Sequence, residues 1–310
     1  MILTCGEALI DMLPRTGAAG EELLLPTPGG AVFNTAIALG RLGARVGFFS
    51  GLSTDMFGRM LARALARAGV DCRLLIRSPR PTTLAFVELV EGQAHYAFYD
   101  ENTAGRMLRP DDLPALPENV RALFFGGISL VATPCAQAYE TLMQRARAAG
   151  RITMLDPNIR PGFIDEPAPY RARIERMLAL ADIVKLSDED IAWLMGPGDA
   201  LAQARSLVGD SDRIVFLTEG ARGAHALTRR HSVFAPAPKA RVVDTVGAGD
   251  TFNAGVLAAL QQAGALAQGR SGAPGQLDKD TLGAALSLGT RAAARSVERA
   301  GANPPTREEL

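Results

Sequence analysis

Along this chain, short apolar runs alternate with longer stretches whose apolar residues recur every three or four positions. The runs fall at 2–5, 46–50, 123–125, 152–155, 183–186 and 214–218. The periodic stretches fall at 31–42, 56–68, 135–149, 169–180, 188–194 and 252–260. Runs apolar on successive residues suit strands covered on both faces, and helical spacing suits helices packed by one stripe. Strands separated by helices predict an α/β fold, a mainly parallel sheet between two helical layers. Two regions break the alternation: 23–28, and 82–90 followed by 94–99, read as strands with no helix between them. Glu91-Gly92-Gln93 reads as a hairpin connection with a glycine at the turn. These segments predict a small antiparallel lid inserted from about 11–28 and 81–108. The Gly-, Ser- and Pro-rich stretch 268–276 reads as an exposed loop between helices.

Length and composition fit that picture. At 310 residues and 47% hydrophobic content, the chain can bury the core of one large domain spanning 1–310. Lys+Arg and Asp+Glu stand at 33 each, so no global field favours nucleic acid or an anionic membrane as partner. Any phosphate site must be local. The apolar start carries Glu7 and Asp11 and no basic segment, unlike a signal peptide, and no apolar run approaches a membrane span. Cys5, Cys72 and Cys135 are isolated, which fits neither a disulfide framework nor a zinc site and suits a reducing cytoplasm. His95, His225 and His231 form no metal-type cluster.

Three constellations carry candidate chemistry. In Asp244-Thr245-Val246-Gly247-Ala248-Gly249-Asp250 a tight turn opens the 252–260 helix. The amides of Gly247, Ala248 and Gly249 can cradle phosphate oxygens, because the first amides of a helix lack intrahelical partners. Asp250 would sit beside that anion site, which is costly unless it acts there as a base. The plainer alternative is a turn in which Asp250 only favours the helix N-terminus. No Gly-Lys-Ser/Thr follows, so the turn is not a P-loop. In Pro28-Gly29-Gly30-Ala31-Val32-Phe33-Asn34, the glycines allow a hinge and Asn34 can face outward as a hydroxyl ligand, or the set is a turn and a local cap. Leu155-Asp156-Pro157-Asn158-Ile159-Arg160 closes a strand, where polar side chains face the ligand crevice. Arg160 suits a carboxylate, a hydroxyl or a phosphate there, or a surface ion pair.

Together these segments resemble the ribokinase/PfkB family of sugar kinases. The two signatures are 29–58 (GGAVFNTAIALGRLGARVGFFSGLSTDMFG) and 244–255 (DTVGAGDTFNAG), and the likeness spans essentially the whole chain. GEALIDMLP, AFYDENTAGRML, ISL, LDPNIRPGF and KLSDED resemble the bacterial fructokinase branch. The resemblance implies a ribokinase-like three-layer α/β/α fold and transfer of the ATP γ-phosphate to a sugar hydroxyl, D-fructose giving fructose 6-phosphate. 2-Keto-3-deoxygluconate kinase, ribokinase and a non-catalytic sugar-binding regulator are the alternatives.

By the same resemblance Asp250 is the base, and Gly247, Ala248 and Gly249 are the anion hole. A carboxylate at a helix N-terminus is expected to have a low pKa, and a loose phosphoryl-transfer transition state asks little basicity of it. Asp11, Gly29, Gly30 and Asn34 match sugar contacts, and Arg160 a residue near substrate or phosphates. Lys185, Ser187, Thr218, Gly220, Gly223 and Thr290 fall on the nucleotide side. Asp244 and the Val246 carbonyl resemble a monovalent-cation site, potassium in type. Magnesium would come mainly with the ATP phosphates, with Asp190 the acid near it. Three segments depart from the family pattern: Ser187-Asp188-Glu189-Asp190 for Asn-x-x-Glu, Thr290 for Asn, and Thr103-Ala104-Gly105-Arg106 for Ser-Ala-Asp. On the lid, Phe86, Tyr96 and Phe98 read as filling one face of a small sheet. Tyr99, on the other, would seal the sugar pocket or a seam between two chains.

Overall fold

The computed structural model describes residues 1–90, 93–267, 269–272 and 274–310. In chain order, β1 (Ile2–Cys5), β2 (Leu9–Thr16) and β3 (Glu22–Gly29) lead into α1 (Ala31–Arg41), β4 (Val46–Phe49) and β5 (Gly51–Ser53). Next come α2 (Met56–Arg67), β6 (Ile76–Ser78), β7 (Leu84–Val90) and β8 (Gln93–Tyr99). β9 (Ala122–Gly126), α3 (Cys135–Ala148), β10 (Ile152–Asp156), α4 (Pro167–Leu180), β11 (Ile183–Ser187) and α5 (Asp188–Met195) follow. The chain then forms α6 (Ala200–Val208), β12 (Ile214–Thr218), β13 (Gly223–Leu227), β14 (Ser232–Pro236), α7 (Ala248–Gln262) and α8 (Lys279–Val297).

The main sheet has eight strands in the order β14-β13-β12-β11-β10-β9-β1-β4. Every pairing from β4 across to β12 is parallel, and β13 and β14 extend that edge antiparallel. Successive side chains feed opposite layers. Ile2, Phe48, Phe124, Met154 and Phe216 pack with apolar residues of α1, α2, α7 and α8. Leu3, Phe49, Phe125, Leu155 and Leu217 pack with those of α3, α4, α5 and α6. This is the expected three-layer α/β/α architecture. Each fully buried Leu, Ile or Phe contributes roughly 1.5–3 kcal/mol, so the double cover accounts for the unbroken apolar runs.

A separate four-stranded sheet has the order β3-β2-β7-β8. It is not purely antiparallel as expected, because β2 pairs with β7 in parallel. The two are joined by a long crossover through α1, β4 and α2, which permits the parallel pairing. The connection at Glu91-Gly92 lies outside the described residues. Within 268–276, Gln268 and Ala273 also lie outside them. The rest forms single helical turns, and Pro274 and Gly275 are buried rather than exposed. A parallel sheet puts all its C-terminal strand ends on one edge, so the turn after β1, the end of β10 and the end of β11 come together. The N-termini of α1 and α7 meet at the same edge, where the Thr35 hydroxyl donates to the Asp250 main-chain O (3.3 Å).

Candidate active site

The turn before α7 is built as the sequence suggests. Gly247 caps the helix at φ 77, in the left-handed region, and a Cβ there would stand 2.8 Å from the Ala302 methyl. Glycine is therefore required twice, by conformation and by space. Ala248 and Gly249 open the first turn, and Asp250 follows, buried at 7% exposure. The Asn34 side-chain amide donates to Asp250 Oδ2 (2.9 Å), joining α1 to α7. Burial is the main cause that lifts the Asp250 carboxyl from 3.8 to about 7. The Asn34 bond and the Lys185 charge oppose the rise, and the charges of Asp156 and Glu7 add to it. The low pKa expected from the helix N-terminus is thus overturned by burial among like charges.

A cavity of about 330 Å³ opens in front of Asp250. Residues 245–250 form one wall, Glu7, Gly30, Ala31 and Asn34 another. Asp11, Phe98, Asn158, Arg160 and Phe163 line the rest of it with Leu9, Gly127 and Ile128. Asp11 comes from β2 and Phe98 from β8, so the small sheet supplies one side and the main sheet the other. Burial raises the Asp11 carboxyl to about 6. Gly29 makes room for it: a Cβ at that position would stand 2.1 Å from Asp11 Oδ2. Phe98 meets Phe163 edge to face, with centroids 4.4 Å apart. The Arg160 guanidinium donates to Ile159 O (3.0 Å).

Behind the glycine turn lies a buried polar group. Lys185 Nζ is 3.2 Å from Asp156 Oδ2, and the Asn253 side-chain amide donates to the same oxygen (2.7 Å). A Cβ at Gly249 would stand 3.6 Å from Lys185 Nζ, so the ammonium lies directly behind the turn. Burial works against the Lys185 charge, but Asp156 and then Asp190 outweigh it and raise its pKa. The ammonium stays charged there.

Most of the remaining expected residues lie elsewhere. Tyr99 is 64% exposed and packs against Phe86 (centroids 5.2 Å), not in the cavity. Period two explains the difference: Phe98 faces the cavity, so Tyr99 must face away, and Phe86 shares its face through the pairing of Leu84 with Tyr99. The side chain of Tyr96 lies outside those described. Asp190, expected near a metal, is an internal cap instead: Oδ1 accepts from Ile159 N (2.7 Å), and Oδ2 from Ser187 N (2.8 Å) and Ser187 Oγ (2.7 Å). Ser187 is correspondingly the N-cap of α5. Thr290 is buried in α8, and its hydroxyl donates to Leu286 O (3.0 Å). Thr218 ends β12, and Gly220 (φ 56) and Gly223 (φ 129) bound the turn into β13. Asp244 Oδ1 accepts from Val246 N (3.0 Å) and Oδ2 from Gly301 N (2.8 Å), which ties the loop to the segment after α8. Val246 itself lines the cavity. Among the described residues no three His, Cys, Asp or Glu side chains gather to hold a metal ion.

Sequence reasoning missed Glu7, Phe98 with Phe163, and Asp156 and Asn253 as partners of Lys185, which was itself expected on the nucleotide side. Phe98 was legible as an aromatic on a strand, but its face depends on a register that the hairpin sets.

A buried acid and a glycine-opened helix at the C-terminal edge of a parallel sheet, with a small sheet across the crevice, define an α/β protein built to bind and transform a small polar ligand. The chain belongs to the pfkB family of carbohydrate kinases, whose family model matches residues 4–309. It is 53% identical over 261 residues to a fructokinase of Rhizobium leguminosarum bv. trifolii, a match covering 84% of this chain and 80% of that one. Among solved structures it is similar to the ATP-bound fructokinase of Xylella fastidiosa (30% identity, TM-score 0.84, 97% of this chain and 93% of that one). The fructokinase of Vibrio cholerae O395, solved with fructose, ADP and a calcium ion, superposes with TM-score 0.82 at 27% identity, over 97% of this chain and 94% of that one.

Proposed function

We propose that this chain transfers the γ-phosphate of ATP to the 6-hydroxyl of D-fructose, with Asp250 as the base. The observation that carries the chemistry is the Asp250 carboxylate, buried at the start of α7, held by Asn34 and facing the same cavity as Asp11. The 53% identity to a fructokinase supports the choice of sugar. Asp11 accepts hydrogen bonds from sugar hydroxyls, Asn34 and the Gly29-Gly30 backbone fix the ring, and Phe98 with Phe163 cover it. The 6-hydroxyl then points at Asp250. Its oxygen attacks the γ-phosphorus in line, the bond to the ADP oxygen breaks, and the hydroxyl proton passes to Asp250. The amides of Gly247 and Gly249 stabilise charge on the transferring group, with Lys185 behind them and Arg160 at the cavity; the Ala248 amide, expected as a third donor, instead donates to Thr245 O (3.2 Å). A base that titrates near 7 is matched to neutral pH, ionised in a large fraction of molecules and still able to take a proton.

Magnesium enters on this reading with the nucleotide and neutralises phosphate charge; Asp190 does not fit as its ligand, because its carboxylate is buried, lies outside the cavity lining and is held by three hydrogen bonds. Asp244 does fit a monovalent cation of the potassium type, beside the Val246 carbonyl. Each of its oxygens accepts one amide and keeps a further lone pair. Thr218, Gly220 and Gly223 flank the adenine nucleotide, and Thr290 reaches it at most through the backbone of α8. The free Cys5, Cys72 and Cys135 suit the cytoplasm, and no helix among the described residues is long and apolar enough to cross a membrane.

The chain folds as one domain on this reading, and the small sheet acts as its lid. The lid edge β3 leaves Leu23, Leu24 and Leu25 about half exposed, a surface for a second copy. A monomeric mass by light scattering at micromolar concentration removes that dimer.

Arg160 at the cavity suits the carboxylate of 2-keto-3-deoxygluconate as well as a neutral sugar, so it does not choose between them. A panel of fructose, ribose and 2-keto-3-deoxygluconate with ATP, compared as kcat/KM, decides between them. Negligible turnover of fructose overturns the first choice.

A further inference from the structure

Glu7 is an acid in the cavity wall, 8% exposed, that the proposed chemistry leaves without a task. α1 opens without a cap of its own: Gly30 has no side chain, and the first turn carries no acid. The Glu7 carboxylate, from the turn after β1, fills that place. Oε1 accepts from the amides of Ala31 (2.8 Å) and Val32 (3.4 Å), and Oε2 from the amide of Ser129 (3.3 Å). Its seat is shaped by two glycines. Gly127 has φ 70, and a Cβ there would stand 2.1 Å from Glu7 Oε1; at Gly30, φ 107, a Cβ would stand 3.0 Å from the Glu7 main-chain O. A cap satisfies amides that would otherwise lack a partner at the helix start, and a carboxylate there also meets the positive end of the dipole. What sets this cap apart is its origin, 24 residues from Ala31 and 122 from Ser129.

The first turn of α1 carries Asn34, whose amide holds Asp250, and Thr35, which donates to the Asp250 main-chain O. The position of that turn therefore sets the position of the base. We infer that Glu7 is a positioning residue for phosphoryl transfer, its carboxylate capping α1 and tying it to the 127–129 turn so that Asn34 presents Asp250 to the sugar hydroxyl. The inference rests on the reading of Asp250 as the base.

Its charge supplies a signature that a packing residue lacks. The groups that act on Asp250 are Asn34 from α1, Glu7 from the turn after β1, Asp156 from β10 and Lys185 from β11. Around Glu7 itself stand Ser129, Cys135 and Tyr139, with burial holding the thiol and the phenol protonated. Across the adjoining small cavity lie Asp100 and Arg106, joined in a salt bridge. Glu7 raises the Asp250 pKa, so removing its charge lowers that pKa.

The test measures sugar kinetics at saturating ATP from pH 5 to 9. Glu7→Gln keeps the shape, discards the charge and offers the amides only one acceptor. We expect kcat/KM for the sugar to fall ~10-fold or more while KM for ATP stays unchanged. The acid limb of the profile should move to lower pH. Glu7→Asp keeps the charge but withdraws it by one methylene, so the rate should fall with no movement of the limb. A Glu7→Gln enzyme with wild-type kcat/KM and an unmoved limb overturns the inference, as does a loss that appears as a raised KM for ATP with kcat unchanged. Should Glu7→Gln fail to fold, a Glu7→Asp enzyme with wild-type kcat/KM overturns it. Asp250→Asn separates the two readings: wild-type turnover there removes the base itself, whatever Glu7 does.

Discussion

Burial first, then the charges of Asp156 and Glu7, lift the Asp250 carboxyl from 3.8 to about 7, and two consequences follow from the same cause. With Asp250 as the proposed base, which must be ionised to act, kcat/KM should fall as pH drops through about 7; a profile flat to pH 5 would show that Asp250 is not the titrating group. For stability the sign is opposite. Between 3.8 and about 7 the folded state holds a proton that the unfolded state has lost, so stability declines as pH rises through that window. The ionised acid thus costs on the order of a few kcal/mol above pH 7. Asp250→Asn keeps an oxygen for the Asn34 amide and removes the charge. It should lower kcat about 10²–10⁴-fold with sugar and ATP binding nearly intact, yet melt higher than the wild type at pH 8. The two melting curves should converge toward pH 4. A lower melting point for the variant at pH 8 would mean that the ionised carboxylate is held by compensating interactions rather than by burial alone.

Close approach between elements is visible at β2 and β3, where Gly29 faces Asp11 across the small sheet. Gly29→Ala would put a methyl 2.1 Å from Asp11 Oδ2, the far end of a side chain that can swing aside. Stability should change by less than ~1 kcal/mol. The displaced carboxylate, however, should raise KM for the sugar by ~10-fold or more with KM for ATP unchanged. Equal KM values for variant and wild type would remove Asp11 from the sugar contacts. Legibility in the sequence follows the same physics of who covers what. β1, β4 and β9 to β12 were readable because both faces are covered, which leaves unbroken apolar runs. β2 was not, because Leu9–Thr16 grades from buried to exposed and carries Pro14 and Arg15. β13 was not, because its residues, Gly-Ala-His-Ala-Leu, are mostly small. In the site, Asp250 and its glycines were readable because a helix N-terminus is a local feature. Glu7 and the Asp156–Asn253 bond were not, since their partners lie 122 and 97 residues away.

The crevice between the two sheets joins these parts into one machine, because neither sheet alone encloses the cavity. Asp250 and Arg160 belong to the main sheet's edge, while Asp11 and Phe98 belong to the small one. A kinase working in water must keep water from the γ-phosphate when the sugar is absent, and a cover that completes the site only over bound sugar achieves this. The edge-to-face meeting of Phe98 with Phe163, 4.4 Å between centroids, is where the small sheet touches the main body beside Arg160. Such a pair contributes about 0.5–1.5 kcal/mol beyond its buried area, enough to bias closure of the proposed lid without locking it. Phe98→Ala should therefore leave the fold intact and keep Asp250 in place, but raise KM for the sugar. It should also let water compete: ADP release would exceed sugar phosphate formation, against a ratio near one in the wild type. Measuring both products in the same reaction checks this. A variant that loses rate while the two products stay equal would make Phe98 a sugar contact and nothing more, and the task of excluding water would pass to Asp11 and the glycine turn.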